Sequence, residues 1–176
     1  MLNTYSFTLK IVKGRTTKHG DFRMLKNGLY QITINENLNS YQFLLTLVHE
    51  IAHYLTYKKY GQVKPHGKQW KETFKVLMLP FLNPSVYPST ILPLLANYLI
   101  NPKASTDSDV KLSLALKQIE GHSDKNYIFE LLTGNEFLLK NRRFKILEKK
   151  RTRYLCLEVE TNKKYTINQN TEVIFL

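Results

Sequence analysis

The rhythm of apolar and polar residues changes three times along this chain. Over residues 1–12 and 29–35, apolar and β-branched side chains alternate with polar ones, as in Leu29-Tyr30-Gln31-Ile32-Thr33-Ile34-Asn35. That is the period of a strand, and Gly14, Gly20 and Gly28 fall in the intervening loops. From Tyr41 the period lengthens. Leu44, Leu47, Val48, Ile51 and Leu55 recur at helical spacing and give a broad apolar surface, so the helix they predict is largely buried. Asn39 or Ser40 can cap its start, and Gly61 is a natural stop after Tyr60. A second helix is predicted from near Gly67 through Trp70, Phe74 and Leu77 towards Pro80. Residues 80–102 are punctuated by proline, with a helical run over Leu92–Ile100. Asn101 to Asp107 reads as a linker, followed by a short helix over Val110–Ile119.

Gly121 is the best boundary, because the pattern turns to short strands beyond it. These are expected at Ile128–Leu131, Glu136–Leu139, Phe144–Glu148, Arg153–Val159, Lys164–Ile167 and Glu172–Leu176. Turns at Thr133-Gly134-Asn135 and Thr161-Asn162 separate several of them. So many short strands in about fifty residues predict a small barrel, SH3-like or OB-like. The expected class is therefore α+β: a catalytic-sized unit at 1–105, a linker and short helix at 106–121, and a β-rich module at 122–176.

Composition narrows the classes. With 43% hydrophobic and 23% charged residues in 176, the chain reads as globular rather than disordered. The longest apolar stretch, Ile91 to Ile100, is broken by Pro93 and Asn97 and is too short to span a bilayer, so no membrane partner is expected. The start, Met1-Leu2-Asn3-Thr4-Tyr5, has no charged lead into an apolar signal segment. A single cysteine, Cys156, cannot build a disulfide framework, and a reducing cytoplasm is the expected location. Placed in a strand, Cys156 is expected to be buried and inert.

Chemistry concentrates on the first helix, where His49-Glu50-Ile51-Ala52-His53 fits H-E-x-x-H. Residues i and i+4 stack on one helix face, so His49 and His53 can aim their imidazoles at one ion. Glu50 lies beside that face and can reach a metal-bound water. A catalytic zinc needs three protein ligands and an open position. His66, just past the helix end, is the third candidate. Two histidines and a glutamate on a buried helix are costly unless they are used.

Together with the strand Leu29–Asn35 and the later Pro65-His66-Gly67-x-x-Trp70, this motif resembles the SprT-like domain, the metallopeptidase family that includes the DNA–protein crosslink protease Spartan. The resemblance spans roughly residues 1–105, and the H-G-x-x-W continuation separates it from other zincins. It implies a zincin-like fold, one Zn2+ ion on His49, His53 and His66, and Glu50 as general base. It also implies that the strand before the helix, Gly28–Asn35, lines the cleft and pairs with an extended substrate. In one respect the chain departs from the family: its lone cysteine excludes the four-thiolate zinc ribbon that often recruits these proteins to DNA.

Charge suggests a replacement. Lys and Arg total 26 against 14 acids, a formal +12. Eight basic residues crowd Lys140 to Arg153 with Glu148 alone against them, and Lys149, Lys150, Arg151 and Arg153 would form a compact basic tip. Such tips hold phosphate backbones without reading sequence, so single-stranded DNA is the expected nucleic-acid partner, with Tyr154 and Tyr165 available to stack on bases. A solvated hairpin tip that keeps edge strands soluble is the bland alternative. Lys10, Lys13, Arg15, Lys18 and Arg23 could border the cleft. Trp70 is expected to pack beneath the third ligand. His19 and His122 are expected to be exposed, His19 near the cleft.

The expected reaction is peptide hydrolysis. With zinc present, water becomes a nucleophile near neutral pH, and Glu50 takes its proton and passes it to the leaving amine. Three functions follow: a zinc endopeptidase of DNA-bound or crosslinked proteins, a zinc endopeptidase with targets unrelated to DNA, and a non-enzymatic nucleic-acid-binding protein with structural zinc.

Overall fold

A computed structural model of the chain describes residues 6–119 and 126–176. Met1–Tyr5 of the first expected strand, the Gly121 boundary and His122 lie outside them. The chain divides into two compact units, 1–117 and 118–176, each mixed or all-β in content, so the whole is α+β.

The first unit begins with β1 (Thr8–Val12), β2 (Gly20–Met24) and β3 (Tyr30–Asn35), arranged in the order β1-β3-β2. β3 is central, parallel to β1 and antiparallel to β2. This corrects two expectations. Gly20 is not in a loop; it opens a strand. Gly-Asp-Phe-Arg-Met carries too few apolar residues to announce itself, and becomes a strand because it completes the open edge of β3. And β3, with both edges paired, has no backbone groups left for a substrate; among the described residues the edge open on the cleft side belongs to β2.

Helix α1 (Ser40–Tyr60) follows at once. Asn39, not Ser40, is its cap: the Asn39 side chain accepts from the Gln42 amide at 2.9 Å, and the Gln42 side chain returns to the Asn39 amide. Gly61 ends the helix at φ 70°, a conformation glycine adopts without strain. Ile51 of α1 packs on Ile32 and Ile34 of β3, with Leu9, Phe22, Phe43, Leu47 and Leu55 around them. Helix α2 (Lys68–Met78) buries Trp70, Phe74 and Met78, the expected stripe shifted by one residue at its end. Helix α3 (Leu92–Ile100) spans the predicted run, with Pro93 tolerated in its first turn. The segment expected to be a linker, Asn101 to Asp107, runs into a 3-10 turn, Thr106–Ser108, and the expected short helix follows as α4 (Val110–Gln118). α4 buries Leu112 and Leu116, and the Leu116 carbonyl accepts from the Asn39 side chain at 2.7 Å. The first unit thus extends well beyond residue 105.

The second unit comprises β4 (Asn126–Tyr127), β5 (Glu136–Leu139), β6 (Arg142–Lys149), β7 (Arg153–Glu158), β8 (Lys164–Asn168) and β9 (Glu172–Phe175). Their order is β4-β9-β5-β6-β7-β8, all antiparallel. Inward residues of β5 to β9, among them Phe137, Phe144, Ile146, Tyr154, Cys156 and Val173, share one core. The strand expected at Ile128–Leu131 is instead a 3-10 turn, because the Glu130 carboxylate reaches back to accept from the Tyr127 amide at 2.8 Å. Lys140 and Asn141 join β5 to β6 with φ of 52° and 61°, the pair of positive values a two-residue hairpin turn needs. Among the described residues, no helix is long and apolar enough to cross a membrane.

Candidate metal centre and cleft

Helical spacing stacks His49 and His53 one turn apart, and the turn after α1 returns His66 to them. The three Nε2 atoms lie 3.1 Å (His49–His66), 3.2 Å (His49–His53) and 2.9 Å (His53–His66) apart. Three tetrahedral ligands about 2.0–2.1 Å from one ion would be separated by about 3.3 Å, so the spacing is that of a ligand set. His66 reaches it through a turn closed by the Gly67 amide on the Lys64 carbonyl at 3.0 Å. Pro65 is its second residue and His66 its third, at φ 56°. Turns of this kind require a positive φ at the third residue. In a histidine that conformation costs about 1–2 kcal/mol, which surrounding structure must offset.

Trp70 provides the support. Its indole is 1% exposed and lies 4.6, 5.2 and 4.7 Å, centroid to centroid, from the rings of His49, His53 and His66. Phe74 stacks beneath it at 4.9 Å. All three histidines therefore rest on one aromatic platform, a wider support than the packing beneath His66 that the sequence suggested. Burial lowers the pKa of all three: His49 well below the ordinary value, helped by His53 and His66; His53 to about 4, helped by His66; His66 less, helped by Lys71. Neutral imidazoles with converging nitrogens are the donor form a metal requires. The residues fit a zinc ion.

Glu50 is only 6% exposed, and burial pushes its carboxyl up to about 8, with Asp21 adding to the rise. The nearby Phe22 backbone amide opposes that shift, as do Lys18 and Arg15. Contact with β2 is close. A Cβ placed on Gly20 would lie 2.7 Å from Glu50 Oε1, so only glycine fits there.

Together these residues line a cleft of about 610 Å3. Gly20 to Met24 of β2 form one wall, Gly61 to His66 the other, and His49, Glu50 and His53 the floor. Sequence reasoning missed β2, Gly20 and the Phe22 amide. A lone glycine in a basic loop carries no sign that a glutamate thirty residues on will pack against it. The amino-terminal basic group is dispersed: Lys10 lies on β1, at the opposite edge of the sheet. Arg15 is bound to Asn35, Lys18 to Asp21 and Arg23 to Gln31. Of these, Arg23 lines the main cleft. His19 is partly exposed beside the site and pairs with Asp107 at 3.3 Å.

With this geometry in view, comparison with known proteins is decisive for the family. The SprT-like family model matches residues 3–87, which include all three histidines, Glu50 and Trp70. That segment is a SprT-like domain. Protein SprT of Glaesserella parasuis serovar 5 is 38% identical over 76 residues, covering 43% of this chain and 46% of that one. Protein SprT of Vibrio parahaemolyticus is 47% identical over 47 residues, and that of Escherichia coli K12 48% over 46, each covering 24% of this chain and 28% of the relative. The chain thus spans less than half the length of the curated SprT proteins it matches. No solved structure matches it significantly.

The second unit carries basic residues of its own. Lys149, Lys150, Arg151 and Arg153 are exposed at the β6–β7 hairpin, closed by the Lys150 amide on the Arg153 carbonyl at 2.7 Å. Arg142 and Arg143 are held by Glu158 and Glu136. The two tyrosines are not free to stack on bases. Alternation turns Tyr154 inward, 3% exposed, and the Arg142 guanidinium covers the Tyr165 ring at 4.8 Å. Cys156 is fully buried, and burial pushes its thiol up to about 11.

Proposed function

We propose that this chain is a zinc-dependent endopeptidase acting on proteins bound or crosslinked to DNA. The carrying observation is the convergence of three neutral histidine nitrogens beside a buried glutamate on the floor of an open cleft. His49, His53 and His66 would hold the ion. Zinc, when bound, supplies Lewis acidity and positive charge: it acidifies water, polarises a carbonyl and draws the Glu50 pKa down. Glu50 accepts the proton of the attacking water at its carboxylate and delivers it to the leaving amine. Its environment suits a proton shuttle, because an ordinary exposed carboxylate holds a proton too weakly to return it. The open edge of β2 pairs with an extended substrate, a recognition that reads backbone more than side chain.

The sheet and H-E-x-x-H helix fit a zincin-like catalytic unit, and the second unit, one sheet around one core, fits a small barrel-like module. Its hairpin Lys149, Lys150, Arg151 and Arg153 would hold single-stranded DNA through phosphates, without sequence preference. A lone buried cysteine suits a cytoplasmic protein.

The test is cleavage of a DNA-binding protein by the zinc-loaded chain, with and without single-stranded DNA, beside Glu50→Gln. DNA-dependent cleavage that falls by about 10²–10⁴-fold in Glu50→Gln supports the proposal. Cleavage indifferent to DNA would move the target away from DNA. Zinc binding without any cleavage would make the ion structural.

A further inference from the structure

We propose that the His19–Asp107 pair clamps the start of β2 against Glu50, making His19 and Asp107 positioning residues for that carboxylate; the inference rests on Glu50 being the general base. Three polar contacts and one close packing contact make a closed circuit around the site. Helix α1 carries Glu50 and begins at Asn39, whose side chain donates to the Leu116 carbonyl of α4 at 2.7 Å. Ser113 of α4 donates to Asp107 Oδ1 at 2.8 Å. Asp107 Oδ2 meets His19 Nε2 at 3.3 Å. His19 precedes Gly20, whose Cα faces Glu50 with no room for a methyl group, and the Phe22 amide lies on the same strand beside the carboxylate.

The backbone of this approach is fixed to the sheet by Asn35, which is 1% exposed. Its amide donates to the His19 carbonyl at 2.9 Å, and its carboxamide donates to the Lys18 carbonyl at 2.8 Å and the Arg15 carbonyl at 3.1 Å. Asn35 therefore ties the loop to β3, and the His19 side chain ties it to the elements beyond the sheet. Packing does not do this alone. A cavity of about 110 Å3, lined by Lys18, His19, Gly20, Glu50 and Thr106, lies beside the carboxylate. The edge of β2 has space to shift into it, so a directional contact is needed to hold the distance.

The pair is partly exposed, 29% and 32%, and pairs of that kind add little to global stability. A merely structural role therefore predicts almost no effect of its removal; a clamp predicts a local one. In the full chain, His19→Ala, Asp107→Ala and the combined variant should each speed hydrogen exchange of the Phe22 amide by about tenfold, with Ile32 and Ile34 amides unchanged. Thermal midpoints should move by less than about 4 °C. kcat should fall by about tenfold with KM unchanged, the combined variant no worse than either single one, and His19→Gln should recover part of the loss. Unaltered Phe22 exchange, or additive losses in the combined variant, would overturn the clamp. If the wild-type chain cleaves nothing, the endopeptidase reading fails, and the exchange measurement still judges the clamp.

Discussion

In the first unit, His49, Glu50, His53 and His66 converge in a cleft, and burial moves every one of their pKa values. In the second, Lys149, Lys150, Arg151 and Arg153 stand in solvent on one hairpin, and no ion pair involves any of them among the described residues. The first group costs folding energy and must be supported, by Trp70 under the rings and by β2 against the carboxylate. The second costs almost nothing to display. Support from neighbours is therefore informative about chemistry in the first case, whereas in the second only binding itself can show use.

The largest expected effect breaks the supported site. Trp70→Ala should destabilise the chain by about 3–5 kcal/mol, the usual cost of emptying an aromatic core position. Zinc affinity should fall by about 10–100-fold, as when ligand-orienting groups are lost. Denaturant unfolding and competitive zinc titration measure the two, and stability loss with unchanged affinity would show that the histidines orient themselves.

A smaller effect is expected at the displayed site. Replacing Lys149, Lys150 and Arg151 together by Gln should weaken binding to single-stranded DNA and flatten its log–log salt slope by about 2, three phosphate contacts' worth. Cleavage of a short peptide without DNA should not change. An unaltered salt slope would assign the tip to solubility alone.

The smallest effect concerns the fold that presents the tip. Hydrogen bonds from Arg142 and Thr161 hold the Glu158 carboxyl down at about 2, against an ordinary 4.5. A depressed folded-state pKa adds stability above the unfolded value, and that stability is lost as pH falls from 4.5 towards about 2. Thermal midpoints of the wild type and Glu158→Gln should therefore differ most above pH 4.5 and converge towards pH 2. A constant gap would mean that the contribution is not ionic.

Local rules made much of the molecule legible. The helices α1, α2, α3 and α4, and the strands β5 to β9, lie within a few residues of where periodicity places them. The errors have physical causes. Ile128–Leu131 alternates like a strand but is bent by a glutamate three residues from the amide it caps. Tyr154 looks like a stacking platform until strand alternation sends it inward. At the cleft, histidines four residues apart on a helix announce themselves because i,i+4 spacing is a local property. Even His66 carries a local cue, the Pro-His-Gly turn that allows a positive φ.

What the amino-acid order determined by itself is whatever depends on neighbours in the chain: the helices and their caps, most strands, the H-E-x-x-H face and the lone inert cysteine. Tertiary structure decided that the edge of β2 rather than that of β3 faces the cleft, that Gly20 packs against Glu50, and that Asn35 and Asp107 hold His19 in place beside it. The reason is distance along the chain. Contact of Gly20 with Glu50 and of Asp107 with His19 joins residues far apart in sequence, and such contacts become favourable only when the core of Ile32, Ile34 and Ile51 has brought sheet and helix together.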